Sequence, residues 1–218
     1  MKHYDVVLFD LDGTITDPGE GITNSVAYAL DKFGIEVTDR KELYKFIGPP
    51  LYESFEKIYG FSHDNALKAV DIYREYYRPK GIFECYVYDG IVELLKRLKD
   101  EGKTVIVATS KPEGFARQIM EHFDLTQYFT YIAGATMDGS RILKADIIDY
   151  ALKTCGVTDL TGVVMVGDRE HDVFGAQKIG VDSIGVLFGY GDRAEHEAAG
   201  ATYIAETPWD IGKFIGEG

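Results

Sequence analysis

The sequence is poor in cysteine, in positive charge and in long apolar runs, and each shortage removes a class of protein. Its two cysteines, Cys85 and Cys155, form no Cys-x-x-Cys pair, which argues against a disulfide framework or a structural zinc site and points to a reducing cytoplasm. Lysine and arginine number 23 against 36 aspartate and glutamate residues, a formal charge of −13. A surface of that sign repels nucleic acid and anionic membranes, so neither is expected as a partner. An anionic small molecule gains nothing from the overall field either, and a site for one must be made attractive locally, by a metal ion, a lysine or backbone amides. No apolar run approaches the roughly 20 residues needed to span a bilayer. The N-terminal apolar stretch stops at Asp10, too soon for a signal peptide. Repeats and low-complexity tracts are missing too. What is present is a chain of 218 residues, 45% hydrophobic, long enough for one large domain or a core with a smaller insert.

Within that background one segment stands out. Val6-Val7-Leu8-Phe9 reads as a buried strand and runs straight into Asp10-Leu11-Asp12-Gly13-Thr14. Carboxylates placed where a hydrophobic strand ends are costly unless a cation or hydrogen bonds compensate them. Magnesium prefers hard oxygen ligands and would hold an aspartate and phosphate oxygens together. Gly13 permits a tight turn. In isolation the pentapeptide is also an ordinary turn, because Asp and Gly are common turn residues.

Further Val- and Ile-rich runs at residues 104–108, 162–166 and 183–187 alternate with amphipathic stretches such as 91–98. This alternation predicts an α/β fold, a Rossmann-like doubly wound parallel sheet, completed by a short strand at 202–204 and a helix from Pro208. Residues 17–83 break the pattern: helices are expected at 20–33, at 41–46, and after Pro50 and Asp64, interrupted by the loop Ile47-Gly48-Pro49-Pro50. This segment is expected to be an inserted α-helical cap domain, with residues 1–16 and 84–218 forming the core and hinges near Asp17-Pro18 and 85–89. Three of the strands are followed by a polar residue of chemical interest: Asp10, Thr109 and Asp168. Ligands of open parallel sheets bind beyond the carboxyl ends of the strands, so these residues are expected to share one crevice. Lys144, opening a helix expected at 144–154, would add an ammonium beside a helix N-terminus. Each also has a bland reading: Thr109 as a β-branched strand residue, Lys144 as a solvated charge, Asp168 and Asp172 as an N-cap and a first-turn carboxylate.

Asp-Leu-Asp-Gly-Thr, then Val107-Ala108-Thr109-Ser110-Lys111-Pro112, Lys144, and Gly167-Asp168-Arg169-Glu170-His171-Asp172 resemble, in that order, the four motifs of the haloacid dehalogenase superfamily. The helical insert after the first motif resembles the phosphoglycolate phosphatase and 5'-nucleotidase-like branch with an α-helical cap. The resemblance implies a Mg2+-dependent phosphatase acting on a small phosphorylated metabolite such as phosphoglycolate, a nucleotide or a sugar phosphate. By the same resemblance Asp10 is the nucleophile that forms an aspartyl-phosphate and Asp12 is the proton carrier. The implied metal ligands are Asp10, the backbone carbonyl of Asp12, and Asp168, with Asp172 reaching the ion through a water. Thr109, the Ser110 amide and Lys144 are implied to bind the phosphate. The resemblance leaves open a phosphomutase of the beta-phosphoglucomutase kind, in which valine often replaces Thr14, and a non-catalytic sensor of phosphorylated ligands. A phosphonatase would need a cap lysine placed to form a Schiff base, a placement that sequence alone does not establish for any lysine of the cap, and that branch is not expected. A cytoplasmic monomer or homodimer is expected. Tyr44, Tyr52, Tyr59, Tyr73, Tyr76 and Tyr77 are expected to pack among the cap helices, His171 to face solvent, and Gly189-Tyr190-Gly191 to shape the rim of the crevice.

Overall fold

In the computed structural model, which describes residues 2–216, the strand β1 (Val6–Phe9) is apolar at every position because its sheet is buried on both faces. Val7, Leu8 and Phe9 have no exposed surface. Two short strands, β2 (Thr16–Asp17) and β3 (Tyr86–Val87), pair as a separate ribbon. The main sheet adds β4 (Thr104–Pro112), β5 (Tyr131–Ala135), β6 (Val163–Gly167), β7 (Asp182–Val186) and β8 (Tyr203–Ala205). Their spatial order is β5-β4-β1-β6-β7-β8, and every pairing is parallel. The chain leaves β1 for β4 and β5 on one side, then returns to β6 and continues through β7 to β8 on the other. That reversal brackets β1, the point where a doubly wound sheet opens a crevice.

Register decides what reaches the crevice. Phe9 lies opposite Val107 on β4 and Val166 on β6, so Asp10, Thr109 and Asp168 leave the sheet at the same edge. On one face Leu8, Ile106 and Met165 pack against Ile147, Ile148 and Ala151 of α6 (Lys144–Thr154) and Ala176 of α7 (Glu170–Ile179). The helices α4 (Ile91–Asp100), α5 (Glu113–His122), α8 (Arg193–Ala199) and α9 (Pro208–Gly216) complete this unit.

Contacts divide the chain into two compact units, Met1–Thr16 with Val87–Gly218, and Asp17–Tyr86. The second contains α1 (Gly19–Lys32), α2 (Leu51–Tyr59) and α3 (His63–Tyr77), with 3-10 helices at Arg40–Phe46 and Gly81–Phe83. Aromatic rings fill its interior. Phe46 and Phe55 meet edge to face at 4.9 Å, Tyr73 and Tyr77 stack at 5.2 Å, and Tyr59 and Tyr76 pack against Phe46 and Tyr28. Tyr44, by contrast, is exposed.

Three local expectations need correction. The segment at 41–46 forms a 3-10 helix, opened by Asp39, whose carboxylate accepts from the Lys41 amide. β4 continues past residue 108 to Pro112, with an irregular register between Thr109 and Pro112. The strand β5 was not expected, because Tyr-Ile-Ala-Gly-Ala is rich in residues of weak strand preference. Its Gly134 is dictated by space: a Cβ there would lie 2.6 Å from the Glu113 Cα and the Lys111 carbonyl oxygen.

Leu8→Ala, at the centre of the sheet, is expected to lower the unfolding free energy in urea by about 2–5 kcal/mol. Val92→Ala, on the exposed face of α4, should change it by less than about 0.5 kcal/mol.

Candidate active site

Where β1 stops, the chain winds around a single carbonyl. The Leu11 oxygen accepts from the amides of Thr14, Ile15 and Thr16 at 3.3, 2.9 and 2.9 Å, while the Leu11 side chain is wholly buried. Gly13 holds φ at 82°, a conformation that side chains disfavour. The same turn fixes Asp10: its own amide donates to Val166 O at 2.9 Å, and its Oδ1 accepts from the Leu11 amide at 2.8 Å.

Lys144, the first residue of α6, reaches this carboxylate. Its Nζ lies 3.0 Å from Asp10 Oδ1 and 2.7 Å from Asp172 Oδ1, and donates to the Ala108 carbonyl at 3.1 Å. The lysine stem passes directly over Gly175 of α7, where a Cβ would come within 2.7 Å of Lys144 Cγ. Burial works to lower the Lys144 pKa, but the carboxylates of Asp10 and Asp172 outweigh it and hold the ammonium well above the usual lysine range.

Asp168 follows β6 and is almost wholly buried. Its Oδ2 accepts from the Tyr190 amide at 2.8 Å, whereas Oδ1 is buried with no hydrogen-bond partner. Gly13 and Gly189 flank it so tightly that a Cβ on either would run into the Asp168 side chain. Burial, then the carboxylates of Asp172 and Asp10, push its carboxyl well above the usual range. Asp172 lies in the first turn of α7, where Oδ2 accepts from the Arg169 amide at 3.2 Å, so the bland reading of this residue also holds. Burial raises its carboxyl against the pull of Lys144.

Oxygens of Asp10, Asp168 and Asp172 all lie within 4.8 Å of one another. Three crowded carboxylates, one with an unpartnered buried oxygen, form a hard-oxygen donor set that suits a divalent cation, and Lys144 alone does not neutralise them. Asp172 therefore stands beside Asp10 and Asp168, while the Asp12 carboxylate lies outside this group. Asp12 pairs instead with Lys111. Burial raises the Asp12 carboxyl, with Lys111 pulling in the opposite direction. Thr109 is buried at the irregular end of β4, its Oγ1 accepting from the Lys111 amide at 3.2 Å; Ser110 is exposed, as is His171.

Two features escaped the sequence reading. Lys111 was in plain view within Val-Ala-Thr-Ser-Lys-Pro, but its partner lies 99 residues away. Gly189 and Tyr190 were expected at the rim, and they turn out to grip Asp168.

The sequence matches the haloacid dehalogenase-like hydrolase family over residues 7–186, and the chain belongs to that family. A 5'-nucleotidase of Pseudomonas aeruginosa is 46% identical over 200 residues, which cover 92% of this chain and 90% of that protein. A protein of Mycobacterium tuberculosis named tyrosine-protein kinase PtkA is 41% identical over 186 residues, 85% of this chain and 63% of that protein. Among solved structures, a predicted phosphatase from Clostridium acetobutylicum matches with a TM-score of 0.92 at 49% identity, covering 98% of both chains. The chain is a phosphatase of this family.

Lys144→Met would leave Asp10 and Asp172 buried without their cation. It is expected to lower the unfolding free energy by about 3–5 kcal/mol at pH 7, and by less at lower pH, where the Asp172 carboxyl, raised by burial and no longer opposed by Lys144, takes up a proton. Lys153→Met, which breaks the exposed pair with Asp149, is the control; an equal effect of the two substitutions would contradict the assignment.

Proposed function

We propose that this phosphatase hydrolyses a small phosphorylated metabolite through an aspartyl-phosphate on Asp10, with Mg2+ as cofactor and phosphoglycolate, a nucleotide or a sugar phosphate as candidate substrates. The observation that carries the reading is the group of Asp10, Asp168 and Asp172 at the carboxyl edge of the sheet, with Lys144 on Asp10 and Asp172 and with Asp168 Oδ1 unpartnered. Asp10, Asp168 and the Asp12 backbone carbonyl are the proposed magnesium ligands, with Asp172 reaching the ion through a water. A magnesium ion so held would screen the Asp10 carboxylate from the negative charge of the phosphate.

The protein's own groups account for the remaining steps. Both the Leu11 amide and Lys144 engage Asp10 at Oδ1, which orients the carboxylate and leaves Oδ2 to attack phosphorus. Lys144, Thr109 Oγ1 and the Ser110 amide bind the non-bridging phosphate oxygens, supplying the local attraction that a chain of charge −13 otherwise lacks. Asp12 gives a proton to the departing oxygen and later takes one from the attacking water. The relative named as a 5'-nucleotidase favours a nucleotide among the candidates. The relative named as a tyrosine kinase raises the question of the acceptor, and release of inorganic phosphate separates water from a protein hydroxyl.

Purified protein is expected to release phosphate from p-nitrophenyl phosphate with Mg2+ present and to stop on addition of EDTA. Asp10→Asn should reduce kcat by at least about a thousandfold with the fold intact. Activity that survives either treatment would refute the mechanism, and a screen of phosphorylated metabolites would identify the substrate class. Gly189→Ala, which displaces Asp168, should raise the Mg2+ concentration needed for half-maximal activity by about 10- to 100-fold.

A further inference from the structure

Lys111 has no role in the mechanism above, yet its side chain is only 6% exposed and its ammonium pairs directly with Asp12 Oδ2. Burying a lysine is unfavourable, and a lysine that served only solubility would sit in water. The other oxygen, Asp12 Oδ1, is buried and has no hydrogen-bond partner. The main chain of Lys111 is fixed as well: its amide donates to Thr109 Oγ1 at 3.2 Å, within the irregular end of β4. The two buried lysines of the site thus divide the carboxylates, Lys144 taking Asp10 and Asp172 and Lys111 taking Asp12.

We infer that Lys111 is a positioning residue that acts through Asp12, holding Oδ2 so that the carboxyl group keeps one orientation in both half-reactions. This rests on the proton-carrier role proposed for Asp12. In the first half-reaction an Asp10 oxygen bonds to phosphorus, the bond from phosphorus to the leaving oxygen breaks, and the proton on the Asp12 carboxyl passes to that oxygen. In the second, water bonds to phosphorus as the bond to Asp10 breaks, and the water's proton returns to the Asp12 carboxylate. A carboxylate free to rotate would meet the in-line leaving group only part of the time. Lys111 removes that freedom by holding Oδ2.

Phenyl phosphate and p-nitrophenyl phosphate test this, because they differ little in shape while phenolate is the poorer leaving group and depends more on protonation. Their kcat/KM values report phosphoryl transfer to the enzyme, before the shared second half-reaction. Asp12→Asn is expected to raise the ratio of kcat/KM for p-nitrophenyl phosphate to that for phenyl phosphate by about tenfold or more. Lys111→Met should raise it in the same direction, and Lys111→Arg should restore most of the wild-type ratio. In the double variant Asp12→Asn/Lys111→Met, which leaves no unpaired charge between these two positions, kcat/KM should match that of Asp12→Asn alone. A further loss in the double variant, or a Lys111→Met defect equal for both substrates, would overturn the inference while leaving the proposed function standing. An unchanged ratio in Asp12→Asn would instead refute the acid role of Asp12, and the inference with it. Thermal unfolding of each variant shows whether an activity loss reflects unfolding, and the double variant keeps the comparison readable if Lys111→Met alone is unstable.

Discussion

The structure turns on one cation among carboxylates. Lys144 Nζ contacts Asp10 and Asp172 at 3.0 and 2.7 Å, and most of what surrounds it serves that contact. The ammonium must come from a helix that begins at the sheet edge, which is where α6 starts. It must pass a neighbouring helix closely, which is why α7 carries Gly175 beneath the lysine stem. It must meet a carboxylate held in place, which the turn around the Leu11 carbonyl provides. Desolvation makes the arrangement costly in isolation, so the protein has assembled mutual compensation and left room for one more positive charge.

Much of this was legible in the chain. A continuous apolar run ending in aspartate reads as a buried parallel strand whether or not its neighbours are known, so β1 and β6 and the polar residues that follow them could be placed. The helix at Lys144–Thr154 was equally plain, because its apolar positions recur with helical spacing. β5 was not, since alanine and glycine at its centre are there to let the backbone of Lys111 and Glu113 approach, a tertiary requirement without a local signature. The pairing of Asp12 with Lys111 was hidden for a related reason: each residue was visible, but the irregular end of β4 that brings them together was not. Periodicity reports which face of an element is buried, and says little about side chains that meet where regular structure stops.

The helical unit offers a contrast. Its interior is built from aromatic rings in contact, Phe46 on Phe55 and Tyr73 on Tyr77, so these rings are engaged in packing. Its polar groups are tied to one another as well, Glu84 accepting from Asn24 at 2.9 Å and from Tyr76 at 3.1 Å, and Arg40 donating to Asn24 at 2.7 Å.

The glycines about the acidic group carry a further consequence. Gly13, Gly167, Gly175 and Gly189 each stand where any Cβ would collide with Asp168, Asp172 or Lys144. The acids and the lysine are therefore packed directly against main chain at these points, and main chain is the same whatever the codon. Every possible exchange at these positions adds atoms to a space that has none to give, so a substitution there displaces the acids or the lysine themselves. Divergence in what the enzyme accepts has to be written elsewhere, in residues whose side chains can be lengthened, shortened or recharged without moving the acids.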